Sequence, residues 1–282
     1  MEPRPDSQTG RMMPVLVRNS TFELALLSDI GNDRPGNEDS CGHLVETESQ
    51  VAFAVADGVG GYEGGEVASA MAVEIALKSF SESPATWGPA KRLHRAVQRA
   101  NIEIYNRALA VPELRRMATT MTAVVVNEGT LHAAHVGDCR LYVINGGKIR
   151  QITKDHTLVA ERVRLGLLSP QQARIHPERS ALSRCLGREL IAPVDLITLR
   201  LEQGDRVIVC SDGLHGVLED RELEHLTRGL DSASACRKLV ETANQRGTAD
   251  NLTAAVFLMT GAVAPIVRRT WRGRIASIFG RR

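Results

Sequence analysis

Acidic residues at the ends of short apolar runs constrain this chain more than any other feature of it. Val51-Ala52-Phe53-Ala54-Val55-Ala56 leads into Asp57-Gly58, and Val207-Ile208-Val209-Cys210-Ser211 leads into Asp212-Gly213. Leu252-Thr253-Ala254-Ala255-Val256-Phe257 follows Asp250-Asn251. Runs of this length and β-branched content read as buried strands. A further acidic group, Asn37-Glu38-Asp39, closes a turn-rich loop that contains Pro35 and Gly36. Any one of these aspartates alone reads as a turn former. Carboxylates at the ends of several buried strands can converge, however, and a cluster removed from water needs cations to neutralise it. A hard divalent metal site is the direct inference, with two metals expected.

The remaining composition excludes several classes. At 282 residues, 43% apolar and 24% charged, the chain is ordinary for a globular protein. No apolar run is long enough to span a bilayer, and no apolar core follows the N-terminus as a secretory signal would require. A cytoplasmic location is expected. Five scattered cysteines without a CxxC pair read as reduced thiols packed as small core residues. Six C-terminal arginines between Arg268 and Arg282 carry +6 of a net charge of +2, which leaves the rest of the chain near −4. A mildly acidic body is not a nucleic-acid binder.

Along the chain, residues 1–20 are rich in Pro and polar residues and are expected to be flexible. A strand begins at Phe22. Glu66 to Phe80 reads as a helix, and Leu93, Val97, Ala100, Ile104 and Ala108 mark a longer one. Thr122–Val126, Leu131–Val136 and Arg140–Ile144 read as strands, with hairpin chemistry at Asn127-Glu128-Gly129 and Asn145-Gly146-Gly147. Helices follow after Asp155, at Ser169-Pro170, over Glu219–Arg228 and over Ser232–Gln245. An antiparallel meander between helical blocks predicts an α+β fold, with one domain over residues 21–261.

Eight blocks in order carry a resemblance. They are Arg34-Pro35-Gly36-Asn37-Glu38-Asp39, Val55-Ala56-Asp57-Gly58-Val59-Gly60-Gly61, Ala118-Thr119-Thr120-Met121-Thr122-Ala123, His135-Val136-Gly137-Asp138-Cys139-Arg140, Lys154-Asp155-His156-Thr157, Ser183-Arg184-Cys185-Leu186-Gly187, Cys210-Ser211-Asp212-Gly213-Leu214 and Gly247-Thr248-Ala249-Asp250-Asn251-Leu252-Thr253. Over about residues 22–260 the chain resembles the protein phosphatase 2C family, in its bacterial single-domain branch. The resemblance implies an α-β-β-α sandwich of two packed antiparallel sheets flanked by helices, with a dinuclear Mn2+ or Mg2+ centre at one end. Asp57 would bridge both metals, Asp212 and Asp250 would complete one, and the Gly58 carbonyl would bind the other. Glu38 and Asp39 would act on metal-bound waters, Asp138 would hold a third, weaker metal, and Arg34 would grip the phosphate. The activity implied is hydrolysis of phosphoserine and phosphothreonine in proteins, opposing a Ser/Thr protein kinase, by a monomer.

The chemistry of the residues agrees with that assignment. Phosphomonoester hydrolysis needs a barrier reduction on the order of 20 kcal/mol, and two metals about 4 Å apart can ionise a bridging water at neutral pH. A guanidinium fork suits a phosphate. Val59 stands where many eukaryotic relatives carry a His acid, so no side-chain general acid is assigned. Thr119 and Thr120 are expected behind the aspartates, His156 to order its loop, and His215 to stand behind the ligand residues or be exposed. Residues 160–192 correspond to the family's flap. There Arg162, Arg164, Arg174, Arg179 and Arg184 offer charge that could steer phosphorylated segments, or form an ordinary solvated face. In the 262–282 tail, Trp271, Ile275, Ile278 and Phe279 share a helical face among arginines. That pattern fits docking on an anionic membrane or a partner's groove, and equally fold-back on the body. Two rival readings are a non-catalytic phosphoprotein-binding pseudophosphatase and a metal-dependent hydrolase of small phosphoesters.

Overall fold

Side-chain alternation along the central strands sets the layers of the molecule. Over Gln50–Val59, Val51, Phe53 and Val55 enter one core while Ala52, Ala54 and Ala56 enter another. This is the two-residue period of an extended chain. Leu252–Met259 divides in the same way, with Ala255, Phe257 and Met259 on one side and Leu252, Ala254 and Val256 on the other. Strands buried on both faces need a sheet or helix layer on each side, and the result is four layers.

The computed structural model describes residues 13–59 and 64–262. Its strands in chain order are β1 (Val15–Arg18), β2 (Phe22–Asp29), β3 (Asp39–Thr47), β4 (Gln50–Val59), β5 (Ala118–Thr119), β6 (Met121–Asn127), β7 (Thr130–Val136), β8 (Arg140–Asn145), β9 (Lys148–Gln151), β10 (Asp195–Arg200), β11 (Arg206–Cys210) and β12 (Leu252–Met259). The helices are α1 (Gly64–Glu82), α2 (Pro89–Ala110), α3 (Leu158–Arg164), α4 (Pro170–Arg174), α5 (Asp212–His215), α6 (Asp220–Thr227) and α7 (Ser232–Gln245). One antiparallel sheet runs β1-β2-β12-β11-β8-β9, and the other runs β10-β7-β6-β4-β3 with β5 paired to β4. Helices α1 and α2 cover the second sheet, and α6 and α7 cover the first. The expected α-β-β-α sandwich is the observed architecture.

Aromatic stacking joins the sheets across the central core. Phe257 of β12 lies 5.6 Å from Phe22 and 6.1 Å from Phe53 of the opposite sheet, ring centre to ring centre. On the outer face of the second sheet, the alanines of β4 let α1 approach closely. A side chain at Gly42 of β3 would meet Val73 of α1 at 2.7 Å.

One expectation needs correction. Residues 1–20 were expected to be flexible, yet Val15–Arg18 forms β1 and pairs antiparallel with Glu23–Leu26 of β2. The apolar pair Val15 and Val17 gains a partner strand whose own core face is already fixed by Phe22, Leu24 and Leu26. Residues 1–12, 60–63 and those from 263 on lie outside the described residues, so the reading of the amphipathic tail falls outside them too. Among the described residues no helix is long and apolar enough to cross a membrane. All five cysteines are free.

Topology gathers the acids. β11 and β12 are antiparallel with Cys210 opposite Ala254, so the end of one and the start of the other share an edge. Asp212 and Asp250 flank that edge. β3 and β4 place Asp39 opposite Asp57 at the corresponding edge of the other sheet.

Candidate metal centre

Directly opposed residues of an antiparallel pair point to one face, so Asp39 and Asp57 are neighbours by register. The backbone of Asp57 is fixed from behind. Its N–H donates to Thr120 Oγ1 (3.2 Å), and its carbonyl accepts from Thr119 Oγ1 and from the Thr120 N–H, both at 2.8 Å. The two threonines stand where they were expected. Asn251 ties the remaining loops together. Its Oδ1 accepts from the Glu38 N–H at 2.8 Å, and its Nδ2 donates to the carbonyls of Ile30 and Gly36. The sequence reading passed over Asn251. Its only signal there is that an amide follows an acid at the head of a buried strand.

Burial and mutual repulsion dominate the electrostatics. Asp57 is held well above the usual carboxylate range, first by burial and then by Asp39, Asp212, Asp138 and Asp250. Asp138 is raised by burial, then by Asp212 and Asp155. Asp39 is pushed up to about 7 by burial, although hydrogen bonds from Ser211 and Thr253 oppose the shift. Asp212 rises to about 6, again by burial first and then by Asp250, while Asp57, Arg34 and Arg179 oppose it. Glu38 is raised by burial more than Arg34 lowers it. Carboxyls that raise one another in this way cannot all ionise without added positive charge.

A divalent cation fits these residues. Asp212 Oδ1 is buried with no hydrogen-bond partner, an arrangement that costs free energy unless something else satisfies the oxygen. The donor set is oxygen only, which suits Mg2+ and Mn2+ over softer metals. Among the described residues, no three His, Cys, Asp or Glu side chains stand as a finished coordination sphere. Two of the acids are engaged elsewhere. Asp39 Oδ2 accepts from Ser211 Oγ at 2.6 Å, and Asp250 Oδ2 pairs with Arg34 at 2.8 Å. The acids are therefore adjacent and frustrated rather than converged on one point. Gly58 follows Asp57 in the sequence, and its lack of a side chain has a structural cause. A Cβ there would strike the Gly65 carbonyl and sit 2.6 Å from the Glu38 carbonyl oxygen. The backbone itself is packed too tightly for a side chain.

Arg34, Asp138, Asp212 and Asp250 line a single cavity of about 900 Å3, and Asp57, Asp39 and Glu38 are not among its lining residues. His215, expected behind the ligand residues or exposed, stands behind them and donates from Nε2 to the Asp138 backbone carbonyl at 3.0 Å. His156 does more than order its own loop. Its Nδ1 accepts from the Gly137 N–H (3.0 Å), and its Nε2 faces Asp195 Oδ2 at 3.2 Å. Cys139 is buried with its Sγ 3.1 Å from Thr120 Oγ1, so it packs behind the centre.

The flap's positive charge is largely neutralised within the molecule. Arg162 pairs with Glu178 (2.8 Å), Arg164 with Glu161 (3.8 Å), Arg174 with Glu219 (3.4 Å) and Arg184 with Asp195 (3.1 Å). Arg179 instead lines the cavity and lowers the Asp212 carboxyl.

A four-layer α+β sandwich with buried, mutually repelling acids gathered at one end is the class that fold and site define. The chain belongs to the protein phosphatase 2C family, whose profile matches residues 28–256. It is 34% identical over 235 residues to the serine/threonine phosphatase stp of Listeria monocytogenes, covering 80% of this chain and 91% of that one. The crystal structure of the Mycobacterium tuberculosis serine/threonine phosphatase PstP/Ppp superposes with a TM-score of 0.78 at 33% identity, covering 86% of this chain and all of that one. A catalytic domain of PstP in complex with two manganese ions aligns with a TM-score of 0.75 at 31% identity, covering 86% of this chain and 99% of that one.

Proposed function

We propose that this chain is a metal-dependent protein serine/threonine phosphatase that hydrolyses phosphoserine and phosphothreonine directly, without a covalent enzyme intermediate. The observation that carries the reading is the set of buried carboxyls raising one another's proton affinity around the orphaned Asp212 Oδ1. In this reading Asp57, Asp212, Asp250 and the Gly58 carbonyl hold two Mn2+ or Mg2+ ions, Glu38 and Asp39 orient water, and Asp138 serves a third, weaker site. When bound, such ions would supply an activated water as nucleophile and would screen the charge of the ester.

The chain's own groups position the substrate. Arg34, half-exposed beside Asp250, turns its planar fork to two phosphate oxygens. Thr119 and Thr120 keep the Asp57 backbone fixed, and Asn251 keeps the Glu38 loop against the Asp250 loop. With Val59 in place of an acid, the leaving alkoxide takes its proton from solvent in the site. The catalytic unit is residues 21–261 extended at its start by β1, acting as a monomer in the cytoplasm on targets of a Ser/Thr kinase.

Turnover of phosphopeptides, phosphometabolites and a phosphodiester, each with Mn2+ and with chelator, tests this. Phosphoserine and phosphothreonine peptides should be hydrolysed only with metal. Asp57→Asn should lower kcat by at least ~10²-fold with an unchanged circular dichroism spectrum. Equal turnover by both proteins would refute the site. Activity confined to small esters, or phosphopeptide binding without turnover, would favour the rival readings.

A further inference from the structure

The cavity that holds Arg34, Asp138, Asp212 and Asp250 is larger than a phosphoryl group requires. At about 900 Å3 it lies at the upper end of the ~300–1,000 Å3 that accommodates a drug-sized molecule. Beyond the acids its walls are mixed, with Lys154, Arg174 and Arg179 beside one aliphatic patch. Val159 and Val163 come from α3, Pro170 and Ala173 from α4, and Val217 from the turn five residues after Asp212. Four of the six arginines in residues 160–192 already pair with carboxylates, which reduces the charge the flap offers a ligand. Besides Arg174, Arg179 and Ser180, the flap offers the cavity aliphatic surface from α3 and α4.

That surface is held in place at both helices and at the root of the flap. Thr157 caps α3 by accepting from the Ala160 N–H, and Ser169 with Gln172 closes a capping box on α4. The Leu158 N–H donates to the Ala181 carbonyl and the Ser183 N–H to the His156 carbonyl, both at 2.8 Å. These bonds tie the two ends of the flap together beside the centre. A preformed apolar wall of this kind lowers the entropy cost of binding.

Resting on the phosphatase reading above, we propose that α3, α4 and the turn at Val217 form a subsite for an aliphatic side chain of the phosphoprotein, close in sequence to the phosphorylated residue. The argument for this occupant is continuity. The subsite and the candidate phosphate site share one cavity, so a polypeptide whose phosphate reaches Arg34 carries a neighbouring side chain to Val163. A Leu, Ile, Val or Met there removes apolar area from water.

The test uses phosphothreonine peptides in which a single Leu is moved through about four positions on either side of the phosphoresidue. Their kcat/KM is compared with that of an all-Gly/Ser parent and of p-nitrophenyl phosphate, which is too small to reach the subsite. Wild type should prefer one Leu position over the parent by about tenfold. Val163→Asp should abolish that preference and leave p-nitrophenyl phosphate turnover within about twofold, and Val163→Ala should give an intermediate preference. Turnover of all peptides without positional preference overturns the subsite and leaves the phosphatase reading standing. So does a loss in Val163→Asp that is equal for peptide and small ester. Absence of turnover of every ester overturns the phosphatase reading, and the subsite with it.

Discussion

The pairing of Arg34 with Asp250 is the most consequential contact at the scale of single residues. The sequence assigns these two to different ligands, one to phosphate and one to metal, and the structure joins them at 2.8 Å. Both side chains are more than a third exposed, so the pair contributes ~0–1 kcal/mol. A metal at Asp250 competes with the guanidinium for the same carboxylate. Arg34→Ala should therefore bind Mn2+ up to about fivefold more tightly in the absence of phosphate, measured by calorimetry, while KM for a phosphopeptide rises. Weaker metal binding in the variant would mean that Arg34 supports Asp250 rather than restraining it. This competition is invisible in the sequence, where 216 residues separate the two. Asp57, Asp212 and Asp250 are legible because each stands beside a strand that is plainly apolar.

Element by element, legibility follows burial. β4, β11 and β12 are buried on both faces and read as continuous apolar runs. β3 and β10 are edge strands of mixed polarity, and β10 pairs with β7 across more than fifty residues, so no local pattern marks either of them. The end of β7 carries a testable consequence. His135 is buried, donates from Nε2 to the Lys154 carbonyl, and has its ring centre 4.8 Å from that of the tilted His156 ring. Burial first, and then His156, pushes its pKa down to about 4. The unfolded chain, near 6.5 at this group, takes up its proton first as the pH falls. The stability that His135 contributes is thus complete above about 6.5 and is lost down to about 4, to a limit of ~3 kcal/mol. Buried carboxyls titrate with the opposite sign, so the informative quantity is a difference. Between pH 7 and 4, denaturant unfolding of metal-free His135→Asn should fall less steeply than that of wild type. Parallel curves would show that the folded protein binds this proton as readily as the unfolded chain.

Considered as a whole molecule, the protein stores unfavourable charge at one end of a well-packed sandwich. The alternating strands explain the packing, and the antiparallel registers explain why Asp212 and Asp250 flank one edge while Asp39 and Asp57 stand at the corresponding edge of the other sheet. The layered fold is foreseeable from alternation and hairpin chemistry. The frustrated geometry of the acids is not, because it depends on Ser211 and Arg34 holding two of them aside. The central claim is that divalent cations relieve this repulsion and complete the site. The most direct measurement is the melting temperature of metal-free wild type and Asp57→Asn across a Mn2+ titration, with no phosphate present. Wild type should gain ~2.7 kcal/mol at a hundredfold excess over its Kd. Metal-free Asp57→Asn, relieved of one buried like charge, should melt no lower than metal-free wild type and gain little from the ion. Equal gains in the two proteins, or none in either, would contradict the account.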